Sequence, residues 1–253
     1  MLDIIAINGA SQQLDINADS KYQIVSVTGL NPPVATINVS PMATSDGGSF
    51  NSSRLPERNI VITIQPLKRI EKARDDLYKW FAPKQKVTLR VKTGSRNLTI
   101  DGYVESFEAD LYANPQLVQI SLICPDPYLK ALNSSEVTIP GTVSNTGDAE
   151  SGGVFTITMT SSGSSITITD TVNGSAKRFR MDDLTLQSGD KVIIDTRVGQ
   201  KSVKLNRSGS ISSLMGNVDP SSDWLQIQPG ANVFTVSASG TAKVEYIPQY
   251  LGV

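Results

Sequence analysis

Apolar and polar residues alternate along YQIVSV (22–27), ATINVS (35–40), RNIVITIQ (58–65) and KVTLRVK (86–92). No other property limits the possible folds of this chain so strongly. Successive side chains of a strand point to opposite faces, so period-two spacing is that of a half-buried strand. The four runs are expected to form the walls of a barrel or sandwich. One segment breaks the period. LKRIEKARDDLYKWFA (67–82) carries Ile70, Ala73, Leu77, Tyr78, Trp80 and Phe81 at steps of three and four, with Pro66 ahead of it and Pro83 closing it. That spacing gathers the six on one face of a helix.

After the helix, KVTLRVKTGSRNLTIDGYVESFEAD reads as a hairpin turning at Thr93–Arg96, and QLVQISLIC as a further strand. That strand runs into CPDPYLKAL (124–132). Each proline removes a backbone donor and pushes the residue before it, Cys124 or Asp126, towards extended backbone. The stop marks more than the end of an element. Beyond Leu132 the chain becomes rich in Ser, Thr and Gly, with short β-patterned runs and no helical stretch. In GDKVIIDT, Val192 and Ile194 share one face and Ile193 takes the other; in QPGANVFTV, Pro229 and Gly230 turn the chain, and Val233, Thr235 and Ser237 alternate with Phe234 and Val236. A length of 253 residues is long for one core. Two domains are expected, 1–132 and 133–253, joined around Lys130 to Ser135: a mainly β fold with one helix in its first half and a β-sandwich in its second.

Composition excludes several classes of chemistry. The chain has no histidine, which removes Ser-His and Cys-His nucleophile pairs, HExxH metal sites and the commonest general base. Neither a phosphate-binding P-loop nor a dinucleotide GxGxxG occurs. Asp75 with Asp76 and Asp182 with Asp183 are adjacent carboxylates that point apart, whereas glycoside hydrolysis needs two that face each other across a cleft. No catalytic, cofactor-binding or metal-binding residue is therefore expected, and no enzyme activity. A net charge of −1 provides no general attraction to nucleic acid or membrane. From Arg54 to Arg96 there are 12 basic residues against four acidic ones. The reading favours a solvated or intersubunit face there, since no aromatic platform accompanies the charge.

The single cysteine, Cys124, cannot form an internal disulfide and reads as a small buried hydrophobe. The start, MLDIIAINGASQQ, lacks a basic n-region and a long apolar h-region, and no run approaches a membrane span of about 20 apolar residues. The expectation is a protein made and folded in a cytoplasm, without membrane insertion. Six N-x-S/T triplets are then chance matches.

The order of several motifs resembles a known family. An FxxxRLPERNI segment (Phe50–Ile60), a helix of the form RxxLYKWF, a strand pair around GYVESFE and a strand ending in CPDPYLK are similar to the distal tail proteins of long-tailed bacteriophages. So are LTLQSGDKVIIDTRVGQKSVKL, SDWLQIQPGANVFTV and the closing AKVEYIPQYLGV, which resemble that family's galectin-like C-terminal domain. The resemblance implies an N-terminal tail-tube-like β-sandwich or barrel that forms a ring, and a C-terminal galectin-like β-sandwich. It implies a structural role at the virion tail tip: a homohexameric ring that joins the tail tube protein to the tail-tip protein and anchors receptor-binding or upper baseplate proteins, with DNA only as cargo through the lumen.

Two residue sets carry the site expectations. The segment Pro41 to Asn59 is longer than a hairpin needs and is either functional or a disordered surface loop. In a ring-forming tail protein it would lie across the neighbouring subunit, with Asp46 beside the flexible Gly47 and Gly48, Phe50 and Leu55 as anchors, and Arg54 and Arg58 pairing with acids there. Trp224 lies beside a loop, where a galectin-like fold could stack a sugar, but sugar-binding galectins also use a histidine. A core ring is the expected role. A carbohydrate-binding or adhesin module, and a tube or hub component of a contractile or phage-derived particle, remain alternative readings.

Overall fold

The computed structural model describes residues 2–253. It divides into two compact units: the first is residues 2–130 with 250–253, and the second is 131–249. The first unit contains β1 (Asp3–Ile7), β2 (Gln13–Asp15), β3 (Tyr22–Thr28), β4 (Thr36–Pro41), β5 (Gly48–Arg54), β6 (Arg58–Pro66), α1 (Ile70–Trp80), β7 (Lys86–Lys92), β8 (Asn97–Ala109), β9 (Val118–Cys124) and β10 (Leu129–Ala131). Its main sheet runs in the order β2-β1-β7-β8-β9-β6-β3. The sheet buries one face. Along β6, Arg58, Ile60, Ile62, Ile64 and Pro66 are buried while the residues between them are not, which is the alternation read from RNIVITIQ.

Helix α1 covers that buried face with a narrower stripe than its spacing predicts. Ala73, Leu77 and Phe81 are enclosed and Trp80 is half-buried, whereas Ile70 and Tyr78 stay exposed. Steps of four bring the first three onto one line down the helix. Tyr78 instead meets Phe107 on its flank, ring centroids 4.5 Å apart. The β7–β8 hairpin turns where the sequence places it, with the Thr93 N–H donating to Arg96 O at 2.8 Å and the Arg96 N–H to Thr93 Oγ1 at 3.0 Å.

The second unit contains β11 (Ser135–Ile139), β12 (Gly141–Asn145), β13 (Ser151–Met159), β14 (Ile166–Val172), β15 (Ser175–Met181), β16 (Lys191–Asp195), β17 (Ser202–Arg207), β18 (Ser210–Ser213), β19 (Gln226–Ile227), β20 (Gly230–Ser237) and β21 (Gly240–Tyr246). A last short strand, β22 (Gln249–Tyr250), pairs with β10. One sheet runs β11-β21-β13-β16-β17-β18 and the other β12-β20-β14-β15. Their inner faces form one core that includes Phe155, Ile168, Phe179, Val192, Ile194, Phe234 and Val244. Phe155 and Phe234 meet at 5.6 Å. This is a β-sandwich built by alternation, as GDKVIIDT and QPGANVFTV foretell. Among the described residues no helix is long and apolar enough to cross a membrane.

Two segments behave differently from the sequence expectation. ATINVS is not a wall of the main sheet: β4 pairs with β5 alone, and the two form a separate two-stranded sheet. The segment Pro41 to Asn59 is correspondingly not an irregular loop, since most of it is the turn and returning strand of that hairpin. The physical reason is that alternation fixes which side chains share a face, but not whether anything covers that face.

Candidate functional site

The β4–β5 hairpin is the feature that a folded, self-sufficient monomer does not explain. Every residue of both strands is exposed. Ile37, Val39 and Phe50 are among them, with Phe50 63% exposed, and Met42 in the turn is exposed as well. Val39 and Phe50 lie directly opposite in the ladder and put an aliphatic and an aromatic side chain on one face. An isolated two-stranded hairpin is only marginally stable in water, and apolar side chains held in solvent gain nothing there. The arm is shaped by its turn. Gly47 adopts φ +96°, and a Cβ on Gly48 would come within 2.4 Å of Val39 Cγ1 and 3.0 Å of the Ser40 carbonyl oxygen. Glycine is the residue type that meets both demands.

The residues expected to act in this segment divide at its root. Asp46 is exposed at the tip, Phe50 is exposed in β5, and Arg54 is exposed at the last position of β5, opposite Thr36. Leu55 is half-buried where the arm rejoins the unit. Arg58 does something else. It is 3% exposed, and its guanidinium donates to the carbonyls of Gly29 at 3.0 Å, Asn31 at 3.2 Å and Leu251 at 2.7 Å. Burial lowers its pKa from the ordinary arginine value. Arg58 therefore clamps the strand-to-arm connection and the chain's C-terminal residues inside the first unit, and it does not reach for an acid on another subunit. Its position follows from register: two residues before Ile60, on the core-facing side of β6, opposite Cys124.

Cys124 is fully buried, as its sequence context predicts, and burial pushes its thiol up to about 11. Ile37, Val39 and Met42 are the residues that sequence reasoning missed in the arm. The signal was present. SDGGS between two runs that contain β-branched and aromatic residues is a hairpin cue.

Trp224 is half-buried at the edge of the second core. Its ring meets Phe179 edge-on at 5.3 Å, and Lys201 Nζ lies over it, 5.3 Å from the centroid. The ammonium takes up ring area that a stacked sugar would need.

Residues 146–250 match the family model described as the siphovirus-type tail component, C-terminal domain. Over nearly the whole length the fold is similar to the SPP1 Dit protein, described as a paradigm of the hub adsorption apparatus in phages that infect Gram-positive bacteria. The TM-score is 0.73 at 14% identity, covering 97% of this chain and 98% of that one. A chain of the phage P2 baseplate in its calcium-activated conformation gives 0.55 at 10% identity, covering 100% of both chains. The strontium form of that baseplate gives 0.53 at 10% identity, again with 100% of both. No curated protein matches the sequence. The two β units have the fold shared by these tail and baseplate proteins. Residues 146–250 thus resemble a siphovirus-type tail component in sequence, and the whole chain shares the fold of the SPP1 Dit protein.

Proposed function

We propose that this protein forms a ring at the distal end of the tail tube. The first unit, tube-like in its sheet and single helix, makes the ring and joins the tube protein to the tail-tip protein. The galectin-like second unit holds receptor-binding or upper baseplate proteins. Six copies follow from the family resemblance, and DNA passes through the lumen as cargo. A charge near neutrality suits that passage, because a strongly basic lining would bind phosphates.

The observation that carries this reading is the β4–β5 arm, a hairpin outside the main sheet with its apolar side chains in solvent. A neighbouring copy covers them. An arm on one surface that seats on a different surface of the next copy is a heterologous contact, and such contacts close into rings or grow into filaments. Changing Val39 and Phe50 together to Ser removes the apolar pair without touching the core. The expected result is a folded chain that no longer forms the tip ring, read by electron microscopy of tails that carry a labelled copy. Intact, infectious tails with the double variant would refute the role of the arm. Label along the tube or in the capsid would refute the location.

A further inference from the structure

The open face of the main sheet in the first unit carries a groove of about 280 Å³, lined by Lys86, Asp101, Tyr103, Asp126, Tyr128 and Lys130 among others. Its charges are already matched. Lys86 Nζ lies 2.8 Å from Asp101, which also accepts from Thr88 Oγ1 at 2.6 Å, and Lys130 Nζ lies 2.7 Å from Asp126. Burial opposes ionisation of Asp101, yet the bonds from Lys86 and Thr88 outweigh it and hold the carboxyl below its ordinary range. What the groove leaves open is neutral surface, above all the Tyr103 ring, 47% exposed. A small polyhydroxyl ligand would have to compete for donors and acceptors that are paired with each other. A neutral segment with apolar side chains and hydroxyl or amide groups would not. The arm has that character: from Thr36 to Ser53 the one charged residue is Asp46.

Position also matches. Lys86, Tyr103, Ile123 and Asn59 form one row across β7, β8, β9 and β6. The groove therefore sits on the row next to Arg58, where the arm rejoins the sheet, but two strands inward, about 10 Å away. Strands of six and seven residues make the arm about 20 Å long. In its own copy the arm is exposed throughout and does not occupy the groove. We infer that the arm of one copy seats in the Tyr103 groove of the next, with Val39 and Phe50 packed against the Tyr103 ring. This inference rests on the ring reading above and names the receiving surface. Donor and acceptor patches differ, so each copy gives one arm and takes one, as a closed ring requires.

The test is a disulfide trap in rings assembled on tails. Copies with Phe50→Cys are mixed with copies with Tyr103→Cys; the native Cys124 is fully buried and does not compete. Oxidation is expected to give a covalent dimer in the mixture and none with either variant alone, and the doubly substituted chain a ladder up to the copy number of the ring. Tyr103→Ala should lower ring yield about tenfold with an unchanged melting midpoint. Rings that need Val39 and Phe50 but neither cross-link nor respond to Tyr103→Ala would overturn the groove and leave the arm's role standing. Rings indifferent to the arm variants would overturn both. Binding of hexoses or N-acetylhexosamines to the free chain, lost in Tyr103→Ala and with no disulfide in the rings, would assign the groove to saccharides instead.

Discussion

Asp170 is the residue whose substitution should change stability most informatively. It lies on β14 with its side chain in the sandwich interior, 2% exposed, facing Phe234 on β20 and Lys177 on β15. Its Oδ1 is buried without a hydrogen-bond partner. Burial raises the carboxyl to about 6 from its ordinary 3.8, against a smaller opposing pull from Lys177. A raised carboxyl binds its proton more tightly in the folded state. Its stabilising effect is complete below about 3.8, fades as pH rises towards about 6 and is absent above that. A shift of about two units corresponds to about 3 kcal/mol at neutral pH. Asp170→Asn removes the charge but leaves a buried amide, so the expected gain at pH 7 is about 1–3 kcal/mol. Asp190 and Asp195 work in the opposite direction. They are held below the ordinary range against the cost of burial, by hydrogen bonds from Arg207 and Arg197 respectively, and the stability they contribute is lost in acid. The difference between wild type and variant cancels them. The assay is urea unfolding from pH 4 to 8, followed by Trp224 fluorescence in a Trp80→Phe background. A wild-type-minus-variant difference that does not change with pH would refute the reasoning.

Four further outcomes are expected. Residues 131–249 should unfold cooperatively as an isolated fragment, because that range encloses the complete second core; a broad, non-cooperative melt would show that the boundary is wrong. Deleting 250–253 should destabilise the first unit by about 1–3 kcal/mol, because Arg58 loses Leu251 O and Arg96 loses Gly252 O; urea unfolding followed by Trp80 fluorescence in a Trp224→Phe background checks this. Trp224→Ala should cost about 1–3 kcal/mol, less than a fully enclosed tryptophan, and leave host-cell binding of assembled tips unchanged; a glycan signal lost in a folded Trp224→Ala chain would reverse that reading. Gly48→Ala should disturb the arm and ring yield while leaving the melting midpoint of the main fold unchanged, since the atoms nearest its added Cβ are those of Val39 and Ser40 within the arm; a shifted midpoint would show that the arm is part of that fold.

Much of this molecule is determined by local pattern. Period-two alternation in RNIVITIQ, KVTLRVK and GDKVIIDT decides which side chains turn inward, and the helix, the β7–β8 turn and the burial of Cys124 follow from equally local rules. The proline pair after Cys124 lies close to the end of the first unit's continuous stretch at Lys130. Three features were decided only in three dimensions. ATINVS alternates as well as its neighbours do, yet it lies in an exposed arm, because among the described residues its strand pairs with β5 and not with the main sheet. Arg58 reads as a surface charge in a basic stretch, yet register turns it inward onto carbonyls far away in sequence. The last four residues follow the second unit's strands in sequence but belong to the first unit, held by Arg58 and Arg96. A periodic sequence specifies the faces of an element, because that geometry repeats every two residues. What covers a face depends on contacts between segments tens to nearly two hundred residues apart, and these exist only once the chain has closed on itself.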